Sequence, residues 1–199
     1  MFKFPVVPIS SNQLLDVRDS DLVKDGLYRK CDTYRGGGGY DQFPIIANKQ
    51  LGKPYHHQLV VQLQKCNLDC PYCYVTRQGV WGEPVLKNGE EIVQDFLSSG
   101  QQTLHLMGGA PALYIEHWSE IINVLPKEYI FHSDLMLTEK IYKRNILNQI
   151  SQSHCLYAVN IKGTTPKEWE ENTRKPLNVE LFWNNLQAIF DCNVPCYFT

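Results

Sequence analysis

The chain has 199 residues, 43% of them hydrophobic and 12% aromatic, which suits one main domain with a substantial core. Lys and Arg total 19 against 21 Asp and Glu, so no cationic surplus is available to neutralise a phosphate backbone, and non-specific nucleic-acid binding is not expected. No apolar run reaches the roughly 18 residues of a membrane span, and prolines interrupt the apolar amino terminus before it turns acidic, unlike a secretory signal; no membrane partner and a cytoplasmic location are the expectation.

Residues 1–55 read as an extension of irregular structure, followed by a main domain over residues 56–199. Within the extension, YRGGGGY (34–40) is expected to be a flexible surface connection, because it has neither a dinucleotide fingerprint nor the Lys-Ser/Thr ending of a P-loop. Residues 58–64, QLVVQLQ, form a short strand-like run that leads directly into three cysteines. Residues 88–100 predict a helix, with Asn88 as N-cap, Ile92, Val93, Phe96 and Leu97 on one face, and Gly100 as the stop. Residues 102–107 predict a buried strand ending in GGAP, and 114–125 return to helical spacing. A third strand is expected at 129–133, then a helix at 138–151 capped by Thr138, and a fourth strand at 155–161. Residues 165–173 predict a short helix with Pro166 in its first turn. From Val179 onward, Phe182, Trp183, Leu186 and Phe190 form an apolar stripe that predicts a core-facing helix. Residues 194–199 begin a fifth strand.

Regular β-then-α alternation calls for parallel strands joined by right-handed crossovers, in an open sheet or part of a barrel. Ligands then sit at the carboxyl ends of the strands. The cysteine cluster, GGAP, HSD (132–134) and NIKG (160–163) each follow a predicted strand, so they are expected to converge on one rim.

The seven cysteines are Cys31, Cys66, Cys70, Cys73, Cys155, Cys192 and Cys196. An odd number without an export signal points to reduced thiols or metal ligands rather than a disulfide framework. Three readings are open for CNLDCPYC. CPYC alone has the spacing of a glutaredoxin-like redox dithiol, which leaves Cys66 unexplained. A structural zinc site needs four ligands, usually as two pairs, and here three cysteines crowd one loop with His56 and His57 at the wrong end of the strand. Three thiolates at C-x3-C-x2-C spacing hold three corners of a [4Fe–4S] cluster and leave one iron open to a small molecule.

At this motif, with Tyr72 as its aromatic residue, the sequence resembles the radical S-adenosylmethionine (SAM) enzymes, and most closely glycyl-radical-enzyme activases and their relatives. The resemblance implies an α/β fold, a parallel (β/α) partial barrel, here short or truncated at the fifth strand, with the remaining edge covered by the amino-terminal segment or another subunit. It implies a [4Fe–4S] cluster on Cys66, Cys70 and Cys73 whose open iron binds SAM. The reduced cluster cleaves SAM to methionine and a 5′-deoxyadenosyl radical that abstracts a substrate hydrogen. By the same resemblance Tyr72 packs near adenine, and MGGAP contacts the SAM amino group through Met107, Gly108 and Gly109, with Ala110 where the family has an acid. Lys162 meets the SAM carboxylate with Asn160 as a polar neighbour, and His132, Ser133 or Asp134 supplies the polar rim of the third strand. A reductant such as a flavodoxin or ferredoxin is implied, and so is a protein, peptide or small-molecule substrate. A non-catalytic iron–sulfur electron-transfer module, a degenerate partner subunit and a glutaredoxin-like protein remain the alternatives. Cys31, Cys192 and Cys196 are expected to pack in the core rather than hold a second cluster, as is Cys155.

Overall fold

The structure, a computed structural model, describes residues 1–10, 22–31, 58–73, 75 and 77–199. The glycine-rich stretch at 34–40 and His56 and His57 lie outside the described residues.

The chain runs β1 (Phe4–Val6), β2 (Leu22–Val23), β3 (Tyr28–Cys31), β4 (Gln58–Gln62), α1 (Arg77–Trp81), β5 (Val85–Lys87), α2 (Gly89–Ser98) and β6 (Thr103–Met107). A 3₁₀ turn over Pro111–His117 leads into α3 (Trp118–Ile122), then β7 (Ile130–Leu135), α4 (Arg144–Ile150), β8 (Cys155–Val159), α5 (Pro166–Thr173), α6 (Val179–Asp191) and β9 (Cys196–Phe198). Among the described residues one sheet has the order β2-β3-β4-β6-β7-β8-β9, and β1 pairs separately with β5. From β4 to β9 all neighbours are parallel. This mostly parallel α/β sheet has the architecture of a partial barrel. Among the described residues, no helix is long and apolar enough to cross a membrane.

Strand periodicity divides the sheet into two faces. Leu59, Val61, Leu104, Leu106, Phe131, Leu135, Tyr157 and Val159 point one way and join the main core with Phe96, Ile92, Trp118 and Trp169 from the helices. Trp118 stacks on Tyr157 with ring centroids 5.6 Å apart. The alternate positions carry Gln62, His105, His132 and Asp134 together with Val60, Ile130, Leu156 and Ala158, so the other face mixes polar and apolar side chains and much of it is buried.

The predicted cap at the start of α2 is present, and α5, with Pro166 in its first turn as expected, has a cap of the same kind. Asn88 and Thr165 each accept from the N–H three residues on, while Glu91 and Glu168 reach back to the cap N–H, completing two capping boxes. Three expectations are corrected. The stretch expected to be irregular contributes β1, β2 and β3, and β3 extends the main sheet antiparallel to β4. The turn that allows this, Lys24-Asp25-Gly26, has positive φ at all three positions, and its Asp-Gly pair was a legible hairpin signal. The helix expected at 138–151 begins only at Arg144, because Asn185 on α6 captures the preceding backbone. Its Oδ1 accepts from Tyr142 N–H (2.8 Å), and its Nδ2 donates to the carbonyls of Leu137 (2.9 Å) and Lys140 (2.7 Å). The stripe on α6 is also shifted: Phe182, Asn185 and Ile189 are buried, whereas Trp183 and Phe190 are 60% and 55% exposed. A polar residue at the centre of the buried face hid its true phase.

Cys31 stands opposite Gln58 on β3, whereas Cys192 and Cys196 flank the start of β9. β4, β6, β7 and β8 lie between them, so no single cluster can bridge the two sets; Cys192 and Cys196 pack against the main core. Asn185→Leu leaves three backbone groups without partners, so urea denaturation is expected to show a loss of about 2–4 kcal/mol; a loss under about 1 kcal/mol contradicts the role given to Asn185.

Candidate functional site

The cysteine loop begins where β4 ends. Leu63 N–H donates to the Met107 carbonyl (2.8 Å), extending the β4–β6 ladder, and the chain then turns through Lys65 at φ 74°. Lys65 N–H donates to the Val80 carbonyl and its own carbonyl accepts from Ala110 N–H, both at 2.8 Å. Gly109, at φ 46°, passes so close that any Cβ there would collide with the Lys65 carbonyl oxygen. The second glycine of GGAP is therefore needed to let the two rim loops touch.

Further along, Asn67 Nδ2 donates to the Thr138 carbonyl (3.2 Å), and Asp69 N–H donates to the Thr173 carbonyl at the end of α5 (3.0 Å). Cys73 N–H donates to the Cys70 carbonyl (3.1 Å), closing the turn at Pro71-Tyr72. The loop is thus fastened to the ends of β6 and α5 and to the segment after β7.

One cavity at this rim is lined by all three cysteines and Tyr72, by Met107, Gly108 and Gly109, and by Asn160 and Lys162. Leu68, Val75 and Met136 add apolar wall, and among the lining residues Asp134 is the single carboxylate and Lys162 the single cation. Lys162 Nζ lies 5.9 Å from the centre of the Tyr72 ring. Two residues expected here lie elsewhere. Ala110 is fully buried, and Ser133 is buried on the core face with its hydroxyl donating to the Leu106 carbonyl (3.0 Å). Position 110 therefore projects no side chain into the cavity. His132 also lies off the cavity lining; its Nε2 is 3.2 Å from Tyr197 Oη, and burial, then His105, holds its basicity well below the ordinary histidine range. The apolar wall was not legible in the sequence, since Leu68, Val75 and Met136 look like ordinary core residues.

Burial pushes the Cys66 thiol up to about 11, opposed by the Leu68 N–H that donates to its sulfur (3.4 Å) and reinforced by Cys70 and Cys73. Burial also raises Cys70, with Lys162 acting the other way. Activated dithiols have the opposite shift and sit at a helix amino terminus, whereas a turn follows Cys70 and α1 begins only at Arg77. Among the described residues no group of three or more Cys, His, Asp or Glu side chains is arranged around a single metal ion. The cavity lining offers three thiols and no histidine, one ligand short of the closed four-ligand set of structural zinc. Binding would displace the thiol protons, so the raised Cys66 is held protonated until metal arrives.

A family model described as the Radical SAM superfamily matches residues 60–199. No curated protein matches the sequence. Similar solved structures include native anSMEcpe with bound AdoMet and Kp18Cys peptide, at 16% identity over 71% of this chain with a TM-score of 0.49. A histidine-tagged form of anSMEcpe with bound AdoMet is another, at 14% identity over 71% of this chain with a TM-score of 0.48. The chain spans 42% of the length of each of these structures.

In metal-free protein, the rate of Cys66 alkylation by iodoacetamide is expected to rise about tenfold per pH unit from neutrality toward pH 11, because only the thiolate reacts. Peptide mapping of the labelled residue measures this; a rate that levels off below about pH 9 contradicts the buried environment described for Cys66.

Proposed function

The chain belongs to the radical SAM superfamily, and from that premise we propose that Cys66, Cys70 and Cys73 hold a [4Fe–4S] cluster, that the adjoining cavity binds SAM, and that the protein is a radical SAM enzyme. The family uses both groups. The observation that carries the reading is the common cavity itself: three thiols from the end of β4, the glycine turn from β6, and one acid and one cation from β7 and the end of β8. Bound together, the cluster and SAM supply a 5′-deoxyadenosyl radical for hydrogen-atom abstraction.

The remaining roles belong to the chain's own residues. Three thiolates would hold a four-iron cluster with one iron free of protein ligands, and SAM would bind there through its amino and carboxylate groups. Lys162 would face that carboxylate, and backbone carbonyls of Met107, Gly108 and Gly109 would accept from the N–H groups of the amine. Asp134, lining the same cavity, supplies the negative charge that Ala110 does not. Tyr72 flanks the adenine. Leu68, Val75 and Met136 keep water away, which strengthens these charged contacts. A flavodoxin or ferredoxin serves as reductant. A protein or peptide is the favoured substrate, from the resemblance of residues 131–139 and 157–169 to activases, with a small molecule second.

Anaerobic reconstitution is expected to give a brown protein with about four iron and four sulfide per chain, and 5′-deoxyadenosine on addition of SAM and a strong reductant. Cys66→Ala, Cys70→Ala and Cys73→Ala are each expected to lose most of the iron, while Cys192→Ala retains it. A colourless protein that binds only zinc overturns the reading. Lys162→Ala is expected to weaken SAM binding roughly 10- to 100-fold, the size of a charge-assisted hydrogen bond; unchanged affinity by equilibrium dialysis removes Lys162 from the site.

A further inference from the structure

The cysteine loop and the cation of the cavity do not meet through the sheet. The loop leaves β4 and Lys162 follows the end of β8, with β6 and β7 between those strands, a separation of three strand spacings or about 14 Å along the sheet. Lys162 Nζ still reaches to 5.9 Å from the centre of the Tyr72 ring. Among the described residues, no backbone hydrogen bond joins residues 66–73 directly to 160–163. Both loops are tied instead to the last turn of α5.

On one side, the Thr173 carbonyl accepts from Asp69 N–H (3.0 Å), and Arg174 Nη1 lies 3.8 Å from Asp69 Oδ2. Arg174 holds this place at φ 52°, a left-handed backbone that glycine adopts more easily. On the other side, Asn172 Nδ2 donates to the Lys162 carbonyl (2.6 Å). The next residue, Gly163, lies against the same helix, where any Cβ would come within 2.5 Å of Trp169 N. The turn that receives both loops is itself held in place. Thr173 is buried, its hydroxyl donates to the Trp169 carbonyl (2.7 Å) and accepts from Lys175 N–H (3.3 Å), and Trp169 is fully buried. The bond from Asn172 is exposed to solvent, so water would satisfy both groups if it broke. Its effect is therefore on the orientation of residue 162 more than on stability.

We propose that Asn172 is a positioning residue for Lys162: it pins the backbone of residue 162 to the turn that also holds Asp69, and so aims the Lys162 ammonium into the cavity beside the cysteine loop. The proposal rests on the radical SAM reading for what Lys162 meets there, the carboxylate of SAM. The placing of Lys162 relative to Tyr72 is independent of that reading.

Asn172→Ala is the test variant, since it removes the amide and puts a better helix former in α5. Its melting temperature is expected to stay level or rise, and the reconstituted protein to keep about four iron per chain. SAM affinity, read by equilibrium dialysis, is expected to fall about three- to tenfold, the size of one hydrogen bond. In a Lys162→Ala background the same substitution is expected to cost no further affinity, because a positioning residue has no effect without the group it positions. A second readout needs neither cluster nor SAM. In metal-free protein, the nuclear Overhauser effect between the Lys162 ε-protons and the Tyr72 ring is expected to weaken in Asn172→Ala. Unchanged SAM affinity or an unchanged Overhauser effect overturns the proposal. So does an equal loss of affinity in the Lys162→Ala background, which puts the action of Asn172 elsewhere, or a clearly lowered melting temperature, which makes the bond structural. If the Overhauser effect weakens in Asn172→Ala while no form of the protein yields a cluster or binds SAM, the radical SAM reading fails and the positioning of Lys162 stands.

Discussion

Three cysteines within eight residues can serve together only if the backbone between them is held from outside, because a loop this short has no core of its own. The hold is the contact between two rim loops: Lys65 C=O accepting Ala110 N–H, with Gly109 pressed against the same oxygen. That contact fixes where the cysteine loop leaves β4 and where the glycine turn leaves β6. Asn67 and Asp69 then fasten its middle to the segment after β7 and to the end of α5. The cysteines and the glycine turn that line the cavity leave their strands at this clamp. The glycines thus have two duties, since Gly108 yields space to the Gln62 amide while Gly109 yields it to the Lys65 carbonyl.

The sheet explains why chemistry gathers on this rim. Parallel strands place all their carboxyl ends at one edge, so residues far apart in sequence, Cys66, Gly108, Asp134 and Lys162, arrive at one cavity. The period of two sends branched and aromatic residues to the helices and leaves Gln62, His105 and Asp134 on the opposite face.

The parts of this arrangement visible in the sequence were those with local signatures. The cap at Asn88, Pro166 in the first turn of α5 and the β/α alternation are short-range patterns, and each appears where it was expected. Long-range effects were not visible. Asn185 reads as a polar interruption on an apolar helix, yet it is the buried pivot that delays α4 to Arg144. Trp183 reads as core and is exposed because the buried stripe runs through Asn185 instead. Ser133 and Asp134 are adjacent, and only strand register decides that Ser133 enters the core while Asp134 lines the cavity.

The central claim is that three cysteines leave an open iron for SAM. Electron paramagnetic resonance of the reduced, reconstituted protein, recorded with and without SAM, addresses it most directly. The reduced protein is expected to give the signal of a reduced [4Fe–4S] cluster whose g-values shift when SAM is added. A cluster signal indifferent to SAM, or no cluster signal from protein carrying all three cysteines, would contradict it.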